Sequence, residues 1–585
     1  MKTKNRLSRS FWAGAAAVLL LTGCSLDEYN PSGGPTLEEY YSTPEGFGEL
    51  INGCYFPLTR TWTGGGEDRV VIFAEAGTDL WTGPKGEGFI PEAFFYTGLN
   101  GGSSSVDEGW QSSYETINYC NTAIHFAPNA GFKTDAERDT KVAEAHYLRA
   151  FFNFFIVEQF GPSFLTTEYT TTPITVMEKA TVSEYYDLIL SDLKFAIQHL
   201  PKVQSDRGRA TRAAANHLYA KACLQYAGYD EAPNKSELYT AAKTAALDII
   251  NNLASYELAL YNTPGEIFTT DNNKNNTEAV WVATHSKNSS LNPRGSNYWN
   301  RVYKQFGCMT ENGGYCGMKY SLDGEYVKME TRIMPTLALL DLYGTKDARY
   351  AAYFREDYIA NVDYTWSESD AKKYGKPDSF VGNQKISVGE LGLHFTRETV
   401  DKPFEKPYAC FDRTLLYKDD GSVNTSYAGY GYVALKKFEK PGMYWGELHK
   451  TYTYADHYVY RLAETYLLAA EACYRLNDLA GAVTYFNVIR NRACEGHDGS
   501  MNIAESDIDV DFILAERARE LCGEYTRFMD LKRFGKAVMQ QYVLSNPDIK
   551  NRNAFNIDVH WVRPIPEKSQ LNYLENAEEF QNPGY

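Results

Sequence analysis

The side chains best suited to contact a ligand lie in loops rich in glycine and aromatic residues. A sugar ring presents flat C–H faces and a rim of hydroxyl groups, so a sugar site needs Trp or Tyr platforms beside hydrogen-bonding side chains. Asp79 and Trp81 share a glycine-rich loop, and Trp366 lies in a loop rich in Ser and Asp. The sequence therefore predicts a sugar-binding face built from loops. Its candidate ligand-binding residues are Trp62, Asp79, Trp81, Asn297, Tyr298, Trp299, Arg301 and Trp366.

Each of these aromatic residues has an alternative role in the hydrophobic core, and for the loop residues the sequence leaves both roles open. Trp281 differs, because it lies in the alternating run Ala279-Val280-Trp281-Val282, which favours a buried strand position. If the loops around Trp81 and Trp299 belong to the core, other segments must supply the site. These next candidates are Trp62, Trp366 and the segment 427–445.

A charged motif between residues 516 and 530 offers carboxylates that could serve catalysis. A glycosidase needs two carboxyl groups about 5–9 Å apart across a cleft. These charges lie on one predicted helix, 510–534, beside an apolar stripe, and charges three or four residues apart in that setting typically form structural ion pairs. We therefore interpret the motif as structural. Its charged residues are Glu516, Arg517, Arg519, Glu520, Glu524, Arg527 and Asp530.

Cofactor, metal and disulfide chemistry have little support in the sequence. There is no HExxH, GxSxG or phosphate-loop motif and no Cys-x-x-Cys pair, so we predict no cofactor and no metal. The run from Asp271 starts like a calcium loop, but Asn276 stands where glycine is needed and Val282 where glutamate is needed. Cys308 and Cys316, in a glycine-rich loop, are the one pair placed for a disulfide.

The first 24 residues predict a secreted, lipid-anchored protein. Four basic residues precede the eleven-residue apolar run 11–21, which is too short to span a bilayer but suits a secretory signal. The run ends in Leu21-Thr22-Gly23-Cys24, which resembles a bacterial lipobox, so Cys24 is the predicted lipidation site and residues 1–23 the signal peptide. Removal of this basic segment lowers the net charge from −17 to −21. Asp27 and Glu28 resemble a surface-export signal.

Composition excludes several classes of function. The chain has 585 residues, with 58 Lys and Arg against 75 Asp and Glu, and this acidic balance disfavours binding to nucleic acid. Apolar residues make up 43% and charged residues 23%, which is typical of a globular protein. The overall negative charge slightly favours a neutral glycan, although a local patch can reverse that preference. The 45 Tyr and 9 Trp suit surfaces that need flat contact area.

Hydrophobic periodicity predicts long helices at both ends of the chain and a different middle. In the segment 134–161, Leu148, Phe151, Phe152 and Phe155 follow the helical spacing, and Gly161-Pro162 ends the pattern. The segment 254–450 is instead rich in Gly, Pro, Asn, Tyr and Trp. The other predicted helical segments are 36–60, 106–126, 181–200, 211–227, 236–253, 456–476, 480–493 and 510–534.

Two segments, 211–253 and 460–494, repeat one pattern of an Ala-rich helix, a polar turn and a second helix. In the second, Ala482-x3-Phe486 matches an element of tetratricopeptide repeats. Small residues let paired helices approach closely, and each pair must stack on a neighbour to bury its other face. The pattern indicates a helical-repeat scaffold that holds long loops, where binding residues are more often found.

Five ordered motifs resemble those of the SusD/RagB family of Bacteroidetes outer-membrane lipoproteins, over nearly the whole chain. In this pattern Glu75 and Asp79 resemble an acidic segment near the ligand face. Two departures stand out: Tyr525-Thr526 replace the usual Gly-His, and Gly161-Pro162 replaces Gly-Asp. The motifs are AEAHYLRAFFNFFIVEQFG (143–161), RLAETYLLAAEACYRLNDLAGAVTYFNVIRNRA (461–493), LAERARELCGEYTRFMDLKRFG (514–535), WVRPIP (561–566) and QNPGY (581–585).

The resemblance implies a mainly α, SusD-like fold with four tetratricopeptide-like helix pairs, a loop-rich variable face and minor β structure. It implies an N-terminal region, 24–230, and a C-terminal region, 231–585, whose segment 254–450 forms the ligand face. It also implies a lipoprotein on the extracellular side of the outer membrane. There it would bind glycan without catalysis and deliver it to a TonB-dependent transporter of the SusC type.

Two alternatives remain open at this stage. A peptide-capture homologue of RagB type would share the fold but offer a groove for extended chains. A surface glycosidase would need a pair of cleft carboxylates with different pKa values.

Overall fold

The structure, a computed structural model, describes residues 34–63, 73–85, 91–288, 291, 300–308, 316–447 and 450–585. The predicted signal segment, Cys24, Asn297, Tyr298 and Trp299 lie outside these ranges. Helix exceeds strand, 49% against 9%, so the predicted mainly α class is confirmed. In the part of the chain described here, no helix is both long enough and apolar enough to traverse a bilayer.

The long helices lie before residue 252 and after residue 461, as the periodicity predicts. They are α1 Leu37–Tyr41 and α2 Pro44–Trp62, α4 Ser104–Phe126, α5 Asp135–Phe160, α6 Val182–His199, α7 Arg212–Tyr226, α8 Lys235–Asn251, α16 Leu462–Arg475, α17 Leu479–Ala493, α18 Val510–Glu520, α19 Arg527–Arg533 and α20 Lys536–Val543. Short helices occur between and after them. These are α3 Pro91–Phe95, α9 Thr270–Asn273, α10 Val302–Phe306, α11 Leu337–Asp341, α12 Arg349–Tyr353, α13 Glu368–Lys373, α14 Arg413–Leu416, α15 Thr425–Ala428, α21 Pro547–Lys550, α22 Ile557–His560 and α23 Ala577–Phe580.

Short strands occupy mainly the middle of the chain and form small separate sheets. The pairs β1–β3, β4–β10, β6–β7, β11–β12 and β2–β13 are antiparallel, and β8 joins β5 antiparallel and β9 parallel. The strands are β1 Trp81–Thr82, β2 Ala279–Ala283, β3 Met334–Pro335, β4 Phe354–Arg355, β5 Asp357–Ile359, β6 Tyr364–Thr365, β7 Lys385–Ile386, β8 Leu391–Phe395, β9 Ala409–Phe411, β10 Ala434–Leu435, β11 Tyr444–Glu447, β12 Lys450–Thr453 and β13 His457–Arg461.

Helix α5 lies at the centre of the N-terminal core. Thr134 caps its start by accepting a hydrogen bond from the backbone N–H of Glu137, and Gly161, with φ +76°, ends it. Every residue from Val142 to Phe160 is buried except His146, so the buried surface is wider than the predicted stripe. Polar side chains that α5 buries form hydrogen bonds with neighbouring elements. The guanidinium of Arg149, for example, donates two hydrogen bonds to Asp192 at 2.8 Å.

The two predicted helix pairs stack directly on each other. Helices α7 and α8 form the first pair, α16 and α17 the second, and α8 packs against α16. Small side chains such as Ala242, Ala246, Ala469 and Ala472 form this contact, which allows the close approach that the alanine pattern predicts. Helix α2 also packs against α4, and α5 packs against α6. This arrangement fits the four helix pairs that the family resemblance implies.

The residues of the charged motif form ion pairs, as predicted. However, many of their partners lie on other elements, and the motif spans two helices instead of one. Glu520 accepts hydrogen bonds from Arg349, Arg461 and Arg492, which lie on α12, β13 and α17. All four side chains are buried. The ion pairs therefore join separate elements across the core and are only in part the predicted pairs along one helix, such as Arg519 with Glu516.

The predicted helix 510–534 is two helices, α18 and α19, separated by a turn. Gly523 and Tyr525 in that turn have φ of +73° and +64°, values that an α-helix cannot contain. Tyr525 stands where the family pattern has glycine, the residue that adopts this conformation at least cost. The predicted helix 456–476 is likewise wrong at its start, where β13 precedes α16 and pairs with β2.

The cysteines are free thiols throughout the described residues, and each is buried. The expected disulfide between Cys308 and Cys316 is therefore wrong. The sulfur of Cys308 instead lies 3.0 Å from the hydroxyl of Tyr358 in a packed core, and burial raises the pKa of its thiol to about 11.

Candidate functional site

Trp81 and Asp79, two predicted ligand residues, lie in the protein interior. Trp81 is fully buried, packs against Phe306 at 5.0 Å between ring centroids, and donates a hydrogen bond from Nε1 to Glu75 at 2.8 Å. Asp79 accepts two hydrogen bonds from the buried guanidinium of Arg527, at 2.8 and 2.6 Å. A sugar platform needs an open ring face, so the core interpretation replaces the ligand role here. The acidic segment of Glu75 and Asp79 is internal as well.

Trp366 and Trp281 are also core residues. Trp366 is 1% exposed and donates a hydrogen bond from Nε1 to the carbonyl of Pro407 at 2.9 Å, so its predicted ligand role gives way to the core alternative. Trp281 lies in β2, 1% exposed, and donates to the carbonyl of Gly208 at 3.0 Å. The predicted buried strand position of Trp281 is thus confirmed.

Of the remaining predicted residues, the structure describes Arg301 and the backbone of Trp62, and these two lie close together. Trp62 is the last residue of α2, but its side chain, like Asn297, Tyr298 and Trp299, lies outside the described part of the chain, so these four stay predictions. Arg301 is described, and its backbone N–H donates a hydrogen bond to the carbonyl of Thr63 at 2.9 Å. The end of α2 and the chain at Arg301 are therefore adjacent.

A β-hairpin borders the same place. Strands β11 and β12 pair in a register that sets Trp445 opposite Tyr452. Residues next in sequence turn inward: Tyr444 packs against Tyr303 at 5.0 Å between ring centroids, and Tyr303 donates a hydrogen bond to Thr451 at 2.9 Å. Because side chains alternate along a strand, Trp445 and Tyr452 lie on the same face of the hairpin. Tyr452 is buried there, with 7% of its surface exposed. Trp445 keeps 39% of its surface exposed.

Cationic side chains lie over the rings of this hairpin. The guanidinium of Arg301 is 4.9 Å from the ring centroid of Tyr452, and the ammonium of Lys304 is 6.0 Å from it. The exposed Lys287 is 5.7 Å from the ring of Trp445 and 5.9 Å from that of Tyr454. Such distances suit cation–π attraction. We refer to these six residues as the basic aromatic patch: Lys287, Arg301, Lys304, Trp445, Tyr452 and Tyr454.

Short hydrogen-bonded segments hold the patch in place. Asn300 forms a β-bridge with Thr453, whose backbone N–H donates to the Asn300 carbonyl at 3.0 Å. The side chain of Asn300 also accepts a hydrogen bond from the backbone N–H of Val302 at 2.9 Å, at the start of α10. Helix α10 carries Lys304 toward Tyr452. The patch is therefore built on the hairpin and on the segment 300–306, rather than on the helical repeats.

Sequence reasoning identified Arg301 but did not place Lys287, Tyr452 or Tyr454 in a site. Trp445 entered the sequence analysis only as the last residue of the alternative candidate segment 427–445. An available signal was the alternation of Thr and Tyr along 451–454, which favours a strand and is preceded by the aromatic pair Tyr444-Trp445. Lys287 gives no such signal, because only the tertiary structure sets it against Trp445.

A groove of about 890 Å³ lies elsewhere, on the helical repeats, between α6, α7 and α8. It is lined mainly by polar and small side chains, and Tyr219 is the one aromatic side chain among its lining residues. It therefore offers little aromatic surface for a sugar face.

These features define a class of protein: a helical-repeat scaffold that carries a loop-rich face with an aromatic and cationic patch, of which Trp445 and Lys287 are exposed. Comparison with known families makes this specific. The sequence profile described as the SusD family matches residues 277–585, and a second profile, described as starch-binding associating with outer membrane, matches residues 102–224. The chain belongs to the SusD family, and its SusD-like fold is confirmed.

Individual relatives are similar over nearly the full chain. A SusD-like protein P2 of Formosa agariphila is 24% identical, with 97% of this chain and 98% of the relative covered. A solved structure titled laminarin binding SusD-like protein has a TM-score of 0.65 at 21% identity, covering 93% of this chain and all of the other. Surface glycan-binding protein A from Bacteroides uniformis gives 0.63 at 19% identity, covering 92% and 99%.

Proposed function

We propose that this protein is a cell-surface lipoprotein that binds oligosaccharides or polysaccharides and delivers them to a TonB-dependent outer-membrane transporter of the SusC type. The observation that carries the proposal is the exposed ring of Trp445, with the half-buried Tyr454 and polar side chains nearby, since an open ring with polar neighbours suits the face and edge of a sugar. Family membership supports the role, and two relatives carry names that refer to laminarin or surface glycan binding.

Binding without catalysis is supported by the state of the conspicuous carboxylates. Glu516 and Glu520 are buried and held by several arginines, and these lower the pKa of both carboxyl groups. A general acid needs a carboxyl group with a raised pKa that can reach the glycosidic oxygen. The motif that could have served a glycosidase therefore serves the core.

Anchoring through Cys24 is compatible with the start of the fold. Helix α1 begins at Leu37, so twelve residues separate it from Cys24. A chain of that length reaches at most roughly 40 Å, at about 3.3–3.6 Å per residue. This is the upper limit of the distance between the proposed anchor and the first helix.

The test compares ligand classes directly. The full-length protein, purified from membranes in detergent, is applied to an array of glycans and, in parallel, to a library of extended peptides. We expect binding to glycans, weakened by Trp445→Ala. Binding to peptides alone would favour the RagB-type alternative, and release of reducing ends during incubation with a bound glycan would show a glycosidase. Co-purification with a SusC-type transporter from the native membrane tests the delivery step.

A further inference from the structure

The basic aromatic patch carries a charge opposite to that of the whole protein. The chain has 75 acidic against 58 basic residues. The described segments that form the patch are 287–288, 300–304, 444–447 and 450–454, together with 328–332, whose Glu330 N–H donates to the Lys304 carbonyl at 3.0 Å. Among the described side chains of these segments there are five Lys and Arg residues against two acidic residues. The basic residues are Lys287, Arg301, Lys304, Lys328 and Arg332, and the acidic ones Glu330 and Glu447.

The two acids do not neutralise this charge. Glu330 is shared, with its carboxylate oxygens 3.9 Å from Lys304 Nζ and 3.4 Å from Arg332 Nη2. Glu447 is the exposed last residue of β11. No carboxylate therefore remains to pair with Arg301 or Lys287 among the ion pairs of the described residues. The patch therefore has a local excess of positive charge, although the protein as a whole is acidic.

Two buried nitrogen atoms in the patch also lack a hydrogen-bond partner. They are Nζ of Lys304, which is 1% exposed, and Nε of the partly buried Arg301, and neither has a hydrogen-bond partner within the described residues. Burial and the neighbouring Arg301 lower the pKa of Lys304 to about 8, although Glu330, 3.9 Å away, opposes this shift. Clustered positive charge with incomplete hydrogen bonding costs free energy, and an anion bound beside Arg301 would offset part of that cost.

We propose that the glycan bound at the basic aromatic patch is acidic, with carboxylate or sulfate ester groups that contact Arg301 and Lys287 while a sugar face stacks on Trp445. The inference rests on the proposed function and names its substrate class. The guanidinium over Tyr452 and the ammonium over Trp445 set two positive charges beside the platform, where substituents at the edge of a stacked ring would lie. Charge-assisted hydrogen bonds to a planar carboxylate or to a sulfate are the strongest contacts available to these side chains.

The experiment uses matched pairs of oligosaccharides that differ in charge alone. Tetragalacturonate is compared with its methyl-esterified counterpart, and a sulfated carrageenan tetrasaccharide with its desulfated counterpart, alongside an array of acidic and neutral glycans. We expect the acidic member of at least one pair or array series to bind about 10- to 100-fold more tightly, with an affinity that falls as salt rises. The two pairs distinguish carboxylate from sulfate as the source of the anion.

Variants locate the effect at the patch. Arg301→Gln is expected to weaken binding of the acidic ligand about 10-fold, and the exposed Lys287→Gln about 2- to 5-fold, with little effect on a neutral ligand. Lys133→Gln, at an exposed lysine outside the patch, is the matched control and should bind as the unmodified protein does. Unchanged melting of Lys287→Gln guards against loss of fold.

Each other outcome overturns the inference in an identifiable way. Binding to neutral glycans only would refute the acidic ligand and leave the proposed function intact. Acidic binding that is equally strong in Lys287→Gln and Arg301→Gln would place the anion elsewhere and refute the patch. Binding to no glycan at all would refute the proposed function, and this inference with it.

Discussion

Trp445 and Tyr452 lie directly opposite each other on the two strands of one hairpin, and each ring faces a different cation. Lys287 lies over the first ring and Arg301 over the second. Each contact between a ring and a cation joins segments more than 140 residues apart in sequence. The exposed ring of Trp445 therefore lies among cations on an element outside the helical repeats.

Removal of the exposed ring should weaken glycan binding without unfolding the protein. Trp445→Ala loses a stacking contact worth roughly 1–3 kcal/mol by analogy with base stacking, or about 5- to 150-fold in affinity. Calorimetry with a short oligosaccharide measures this, because avidity on a polymer would mask it. Trp445→Tyr should retain much of the affinity. Tyr573→Ala, at another exposed aromatic residue, is the control, and equal losses in both variants would contradict the placement of the site.

Trp81 should behave as a core residue in spite of its place in a loop. Trp81→Ala removes a fully buried ring and leaves the buried Glu75 without its Nε1 donor, so we expect a loss of about 3–5 kcal/mol in the free energy of unfolding. Trp445→Ala should cost about 1 kcal/mol or less, as is usual for an exposed position. Urea denaturation of both variants measures the difference. Similar midpoints would show that Trp81 is not core.

The buried ion-pair network should be sensitive to the loss of a single charge. Glu520→Gln leaves Arg349, Arg461 and Arg492 short of a carboxylate in the core, and breaking a buried pair costs about 3–5 kcal/mol. Glu398→Gln is the control, because Glu398 forms an exposed pair with Arg397 and should lose about 1 kcal/mol at most. Thermal unfolding compares the two. A neutral effect at Glu520 would refute the role of the network.

Glu75 should make stability fall as pH rises. Burial raises the pKa of its carboxyl group to about 8, well above its ordinary value of 4.5. The folded state therefore holds a proton that the unfolded state has lost between pH 4.5 and 8, so unfolding becomes easier across this window. Glu75→Gln cannot ionise and should show a smaller decrease in melting temperature between pH 5 and pH 8.5. Parallel curves for both proteins would contradict the raised pKa.

Membrane anchoring should depend on Cys24. A serine hydroxyl cannot form the thioether that carries the lipid, so Cys24→Ser should lose palmitate incorporation and appear in the soluble fraction. Cys54→Ser, at a buried cysteine within α2, is the control and should remain lipidated. Unchanged membrane retention of Cys24→Ser would refute the lipobox.

Local features of this fold could be read from the sequence because local interactions produce them. The limits of α5 follow from the cap at Thr134 and from Gly161, and the stacking of α8 on α16 follows from their alanine faces. The break between α18 and α19 could not be read in this way. The apolar spacing continues through Tyr525, whereas the helix ends at Glu520 and the backbone turns at Gly523 and Tyr525, both with positive φ.

By itself, the sequence determined the order of the long helices, the family motifs and the structural nature of the charged motif, while the signal segment stays a prediction. Only the tertiary structure decided which aromatic residues are exposed. Trp81, Trp366 and Trp445 all lie outside the long helices, yet two are buried and one is open. Helical periodicity and capping act within a few residues, whereas burial of a loop side chain depends on elements that fold against it from distant parts of the chain.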